Sequence, residues 1–110
     1  MNSVSAVFQD SQRVYTYITK LDLKVGQRFL TKTPSKGWTY VTVQAVPAQT
    51  PVDPNAKFEY QELKNELIIM PILVDDEEWF LATALGRDDA AGKAPTEDQA
   101  INNLCAALNK

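Results

Sequence analysis

Residues 96–108 read Thr96-Glu97-Asp98-Gln99-Ala100-Ile101-Asn102-Asn103-Leu104-Cys105-Ala106-Ala107-Leu108, and this stretch decides the fold class. Thr96 followed three residues later by Gln99 is a capping-box pattern, and Pro95 precedes the cap. Acidic residues in the first turn suit the positive end of the helix dipole. Apolar residues at positions 100, 101, 104, 105 and 108 form a single stripe. The stretch therefore predicts an amphipathic helix from Glu97 that packs on a sheet.

Two segments before this helix predict a β-hairpin. Residues 67–74 are apolar throughout and have the length of a buried strand. Residues 79–84 supply a second strand after the acidic turn Asp75–Glu78. Pro71 has no N–H group to donate, so it indicates an edge strand or a bulge. Residues 86–95 are predicted to form a loop that leads to the helix.

The N-terminal half carries several β-strand patterns. Val4, Ala6 and Phe8 alternate with Ser5 and Val7, residues 38–46 form a long alternating pattern, and residues 14–19 are all β-branched or aromatic. Gly26 predicts a turn with positive φ before a further strand, and residues 33–37 have the composition of a hairpin turn. Residues 4–46 thus predict about four strands, of which the first two pair in antiparallel fashion.

Three prolines, at positions 47, 51 and 54, separate this half from the rest of the chain. Because no strand ladder continues through such a segment, residues 47–56 are predicted to be an ordered loop. Residues 58–63 alternate as a strand does, although Lys64 and its polar neighbours also suit a helix. We predict one domain over residues 1–110, with a β-rich subdomain 1–46 and a β-β-α subdomain 57–110. Its class is α+β: a small antiparallel barrel-like half, a β-hairpin and one C-terminal helix.

The composition excludes several kinds of site. The chain has no histidine and one cysteine, Cys105, so it lacks the usual zinc ligands and the imidazole base of common hydrolases. Its four scattered glycines form no phosphate-binding loop. We therefore predict a non-enzymatic protein without metal or cofactor, and an inert, buried thiol at Cys105. The absence of a signal-peptide pattern and of a long apolar run predicts a cytoplasmic location.

Charge is distributed unevenly along the chain, with a net +4 over residues 1–50 and −7 over residues 51–110. One interpretation is that these charges are solvated or attract each other. The other is that the acidic half binds a basic protein partner. The candidate residues for that contact are the following acidic side chains: Asp75, Asp76, Glu77, Glu78, Asp88 and Asp89. The cluster lacks the alternating ligands and the glycine of a calcium loop, so no metal site is predicted.

An alternative function is suggested by the aromatic and basic residues of the N-terminal half. Small barrels bind single-stranded nucleic acid by stacking bases on exposed aromatic rings in a basic groove. The candidate residues are Tyr15, Tyr17, Trp38 and Tyr40, with Lys24, Arg28, Lys32 and Lys36. Each aromatic pair shares one strand face, so the pattern leaves open that one member of each pair belongs to the core.

Residues 14–19, the Leu-Lys-Val-Gly corner at 23–26 and the valine-rich strand at 40–46 resemble a module found in small proteins of tailed bacteriophages. The same pattern is loosely similar to the N-terminal DNA-binding module of the bacterial primosomal helicase. The resemblance covers about residues 4–65 and assigns no role to any residue. It implies a barrel-like fold and a phage accessory or host-takeover factor that acts in the host cytoplasm through protein contacts.

Overall fold

The computed structural model describes residues 2–9, 11–57 and 59–110. They form two antiparallel sheets and one C-terminal helix, an α+β architecture. The elements in chain order are β1 (Asn2–Phe8), β2 (Val14–Thr19), β3 (Arg28–Thr33), β4 (Gly37–Ala45), β5 (Leu67–Val74), β6 (Glu77–Ala84), β7 (Arg87–Ala94) and α1 (Glu97–Leu108). Residues 46–57 contain neither helix nor strand, which confirms the predicted loop at 47–56.

The first four strands form sheet A, with the strand order β2-β1-β4-β3. The predicted antiparallel pairing of β1 with β2 is confirmed, and it runs from Asn2 opposite Thr19 to Val7 opposite Val14. Gly26 has a φ of 98°, as its corner position predicts, and Gly37 has a φ of 71° at the β3–β4 turn. Only glycine adopts such angles without steric cost.

Sheet A is not closed into a barrel, so that part of the sequence prediction is wrong. Its edge strands β2 and β3 do not pair with each other; residues 61–66 lie between them. The N–H of Leu63 donates to Ile18 O at 2.9 Å on β2, and the N–H of Leu30 on β3 donates to Asn65 O at 2.9 Å. Because β2 and β3 run in opposite directions, this segment is parallel to β2 and antiparallel to β3, and it forms a single isolated bridge with each.

The strand predicted over residues 58–63 is also wrong where the structure describes it. Residues 59–63 form only an isolated bridge, between Glu62 and Ile18. Phe58 lies outside the described residues.

The last three strands form sheet B, with the order β5-β6-β7. Its predicted hairpin is confirmed, with a turn of two residues, Asp75 and Asp76, at φ angles of 51° and 66°. Asp is among the few residue types that tolerate this conformation. Glu77 and Glu78, predicted in the turn, begin β6 instead. Pro71 lies on β5 at the edge of the sheet, as its missing N–H predicts.

The loop predicted over residues 86–95 is wrong, because Arg87–Ala94 form strand β7. This strand consists of Arg, Asp, Ala, Gly and Lys residues, which have low intrinsic preference for strands. Pairing with β6 and packing against α1 stabilise it. A Cβ atom on Gly92 would overlap the backbone of Ala100 and Leu104, so α1 lies directly on β7.

Helix α1 has the predicted start and the predicted apolar stripe. Thr96 Oγ1 accepts a hydrogen bond from the N–H of Gln99 at 3.3 Å, which satisfies one of the free donors of the first turn. The buried side chains of the helix are Ala100, Ile101, Leu104 and Cys105. They contact the face of sheet B that carries Leu67, Ala82, Ala84 and Ala94.

Two clusters of buried side chains make up the core. One lies between α1 and sheet B and includes Leu30 and Tyr40 of sheet A, so it connects the two halves of the molecule. The other lies between sheet A and the residues that cross its open side: Val4, Ala6, Tyr17, Leu23, Phe29, Val41, Val43 and Leu63.

A side-chain clamp also joins the two halves. Asn109 caps the C-terminal end of α1, and its Oδ1 accepts from the N–H of Trp38 at 2.6 Å. Its Nδ2 donates to Trp38 O at 3.0 Å. Asn109 therefore pairs with β4 much as a neighbouring strand residue would.

Candidate functional site

One face of sheet B is apolar and lies opposite the face that packs against α1. The pairing register places Ile68 opposite Thr83, Met70 opposite Leu81, Ile72 opposite Trp79 and Val74 opposite Glu77. Directly paired residues point to the same side of a sheet. We call the apolar members of this set the outer face: Ile68, Met70, Ile72, Val74, Trp79 and Leu81.

The side chains of the outer face are accessible to solvent. Met70 is 47% exposed and the other five are partly exposed, whereas the opposite face has buried residues near α1 (Leu67, Ala82, Ala84 and Ala94) and an exposed Leu73 (75%) at the hairpin end. Ile68 and Thr83 also line a recess of about 540 Å³, which continues to Arg87 and Asp88 at the end of the sheet. The outer face is therefore a contiguous apolar surface with an open depression at one end.

Strand β5 carries the sequence signal for this surface. Its eight residues are all apolar, at odd and even positions alike. Such a pattern is typical of a strand covered on both faces, whereas a strand with one wet face alternates. The sequence prediction recognised a buried strand but did not separate its two faces. In the structure Leu67 of one face joins the core beside α1, while the other face is accessible along its length.

The predicted acidic contact residues do not form one patch. Asp75 and Asp76 make the β5–β6 turn, while Asp88 and Asp89 lie at the start of β7. These groups are separated by the length of β6, about 27 Å for eight antiparallel residues. Glu77 shares the outer face with Val74, and Glu78 points to the opposite side with Leu73.

Asp89 is already engaged within the chain. Arg87 donates to both of its carboxylate oxygens, at 3.0 and 2.9 Å. These hydrogen bonds lower the pKa of Asp89 below its ordinary value. The acidic groups next to the outer face are therefore Asp75 and Asp76 of the hairpin turn and Glu77 of β6 at one end, and Asp88 by the recess at the other.

The structure divides the predicted nucleic-acid-binding aromatics. Tyr17 and Tyr40 are 5% and 4% exposed and belong to the core, so they are the core members of their pairs and cannot stack with bases. Tyr15 is partly exposed; its ring meets Phe8 edge-on at 5.5 Å, and Arg13 lies 5.3 Å from its centroid. Tyr15 shares a face of sheet A with Tyr17, whereas Trp38 shares the other face with Tyr40. The two accessible rings thus point to opposite sides.

The predicted basic residues are likewise spread over the molecule. Lys32 and Arg87 lie 5.9 and 4.7 Å from the Trp38 ring centroid, one cation from each sheet. Arg28 forms an ion pair with Glu97 at 4.0 Å. Lys24 and Lys36 are exposed on the loop before β3 and on the β3–β4 turn. Lys32 contacts the ring of Trp38, and Lys36 lines a small recess together with Tyr15.

Two buried titratable groups make the fold sensitive to alkaline pH. Burial raises the pKa of Tyr17 to about 12 and that of the Cys105 thiol to about 11, from ordinary values of 10.0 and 9.0. The folded protein thus holds these protons more tightly than the unfolded chain does. The corresponding stability is present at neutral pH and is lost as the pH rises from about 9 to about 12.

We therefore expect the urea concentration at half-unfolding to decrease as the pH is raised from 8.5 to 11.5. Tyr17→Phe keeps the buried ring but removes the ionisable hydroxyl, so the decrease above about pH 10 should become shallower in this variant. Tyr15→Phe is the comparison: the charge of Tyr15 is the smaller cause of the raised pKa of Tyr17, so this variant should change the slope less than Tyr17→Phe does. Equal slopes for Tyr17→Phe and the unchanged protein would contradict the expectation.

Several other kinds of site are not found. Over residues 2–9, 11–57 and 59–110, no group of three or more Cys, Asp and Glu side chains is placed to hold a metal ion. Within the same ranges, no helix is long and apolar enough to cross a membrane. Comparisons of the chain with protein-family models, with curated proteins and with solved structures find no match. The resemblance to phage modules therefore stays a prediction, and function must be inferred from the molecular surface.

Proposed function

We propose that this protein is a non-catalytic binding module that contacts a protein partner through the outer face of sheet B. The observation that carries this proposal is the accessible outer face, to which β5 and β6 contribute six apolar side chains on the side of sheet B away from α1. In the phage setting that the resemblance implies, the partner would be a host or viral protein.

The physical support comes from the cost of leaving such a surface in water. Isolated exposed apolar side chains are ordinary, but contiguous apolar patches on monomers are characteristic of interaction sites. The outer face joins six large apolar side chains from two adjacent strands, with a tryptophan and a methionine among them. Aromatic residues and methionine are enriched where protein interfaces are buried.

Site-specific photo-crosslinking tests this proposal. A benzophenone side chain at Met70 should form adducts with a protein when the chain is expressed in cells that contain its partner. Leu21 provides a matched control, because it is 46% exposed against 47% for Met70 and lies in the other half of the molecule. Protein adducts at position 70 but not at position 21 are the expected result. No adduct at 70, or equal adducts at both positions, would overturn the proposal.

Single-stranded nucleic-acid binding is the second candidate, and one observation favours it. Trp38 and Lys32 line a recess of about 250 Å³ together with Lys64, and Arg87 lies against the same ring. A benzophenone at the exposed Lys64 reports on this surface in the same experiment. A nuclease-sensitive adduct at position 64, without a protein adduct at position 70, would favour this alternative.

A further inference from the structure

We propose that the partner segment is a cationic amphipathic α-helix that lies across the outer face. This inference rests on the proposed function and names the chemistry of the partner. It follows from the charge around the outer face, from the state of the β5 edge and from the dimensions of sheet B.

The charges of sheet B are predominantly acidic. Residues 67–94 carry six acidic and two basic side chains, a net charge of −4. Arg87 is paired with Asp89, and the other cation of this segment, Lys93, lies opposite Leu81 on the outer face, away from the hairpin turn. Asp75, Asp76 and Glu77 stand at the hairpin end of the outer face. A partner with Lys or Arg beside its apolar residues therefore complements this surface.

The same charges disfavour a second copy of this chain as the occupant. Packing two outer faces together would bring Asp75, Asp76 and Glu77 of both copies into one interface, and like charges across an interface oppose association. Extending the sheet by pairing two β5 edges is also disfavoured. Pro71 lies on that edge and supplies no N–H group, and edge prolines are a common device against such pairing.

The dimensions of sheet B fit one helix. Strands of eight residues are about 27 Å long, and three strands are about 14 Å wide. A helix with its side chains is about 10–12 Å across and needs about 18 residues to span 27 Å. Helix α1 packs on β6 and β7 from the opposite side, so a partner helix on the outer face would place a helix on each side of sheet B.

Three synthetic 18-residue peptides test the inference, with the intact protein titrated into fluorescein-labelled peptide and anisotropy as the readout. The first has a leucine stripe at helical spacing and lysines elsewhere. The second replaces the lysines with glutamates, and the third keeps the composition of the first but disperses the leucines. The first peptide should bind at least about tenfold more tightly than either of the others, because only it combines both features.

Two variants of the protein locate the binding site. Met70→Lys places a charge in the outer face at a half-exposed position, so the variant should still fold. Its affinity for the first peptide should be at least about tenfold lower. The double variant Asp75→Asn and Asp76→Asn removes two charges and keeps residues that tolerate positive φ. It should weaken binding about fivefold at low salt and less than about twofold at high salt. Asp22→Asn with Glu59→Gln, two exposed carboxylates outside sheet B, is the control and should change neither value.

Each other result overturns the inference in a recognisable way. Protein adducts at position 70 without preference for the cationic amphipathic peptide would exclude this partner class and leave the proposed function standing. The absence of adducts at position 70 would contradict both the proposed function and the inferred partner class. A dimer in analytical ultracentrifugation that Met70→Lys converts to a monomer would identify a second copy as the occupant instead.

Discussion

Gly92→Ala is expected to destabilise the protein by about 3 kcal/mol or more, one of the two largest effects of a single substitution that we expect. An alanine Cβ at this position would stand 2.5 Å from the backbone N of Leu104 and would overlap the carbonyl oxygen of Ala100. These are backbone atoms of α1, so no side-chain rotation relieves the overlap. The helix would have to move off β7, which would separate the buried contacts between them.

Urea denaturation followed by circular dichroism measures this effect, and Gly26→Ala is the matched control. A Cβ on Gly26 meets nothing within 4 Å, but the φ of 98° strains any other residue. We expect this control to cost about 1–2 kcal/mol, the range for unfavourable backbone angles. If Gly92→Ala were no more destabilising than Gly26→Ala, the close approach of α1 to β7 would be contradicted.

Leu63→Ala is expected to cost about 2–5 kcal/mol, the range for truncating a buried leucine. Leu63 is fully buried in the cluster beneath sheet A, although it belongs to no strand. Its N–H donates to Ile18 O, and its carbonyl oxygen accepts from the hydroxyl of Thr19 at 3.2 Å. The side chain therefore fills the open side of a sheet that is not closed into a barrel.

Leu21→Ala is the control for that substitution, because Leu21 is 46% exposed and should lose less than about 1 kcal/mol on truncation. Hydrogen exchange gives a second readout. The N–H of Ile18 donates to Gln61 O at 3.0 Å, so its protection should fall in Leu63→Ala if residues 61–66 detach from β2. Unchanged stability would mean that Leu63 does not anchor this segment.

The elements that the sequence predicts correctly are those whose local pattern agrees with their final environment. The Thr96 cap, the tyrosine-rich β2 and the proline on the edge strand all follow from short-range chemistry. Strand β7 does not, because Ala and Gly residues form a strand there through contacts with β6 and α1 that are distant in sequence. The open side of sheet A was missed for a related reason. Residues 61–66 contact both edges at single bridges, which leave no periodic signal.

The candidate site was predictable only in part. The acidic turn at Asp75–Glu78 stands out in the sequence as a charge cluster, but its position relative to an apolar surface depends on which side of the hairpin α1 covers. Residues of β5 are apolar at every position, so the sequence does not distinguish the face that packs within the chain from the face that remains accessible. That distinction arises from tertiary packing.

The Asn109 clamp has a consequence for the order in which the molecule is completed during synthesis. Trp38 and the residue that pairs with its backbone are separated by 71 positions. At about 5–20 residues per second, the ribosome needs roughly 4–14 s to make the intervening chain. For several seconds after β4 has been made, the backbone N–H and C=O of Trp38 therefore lack the hydrogen bonds to Asn109. These bonds form only after the end of α1 has been synthesised.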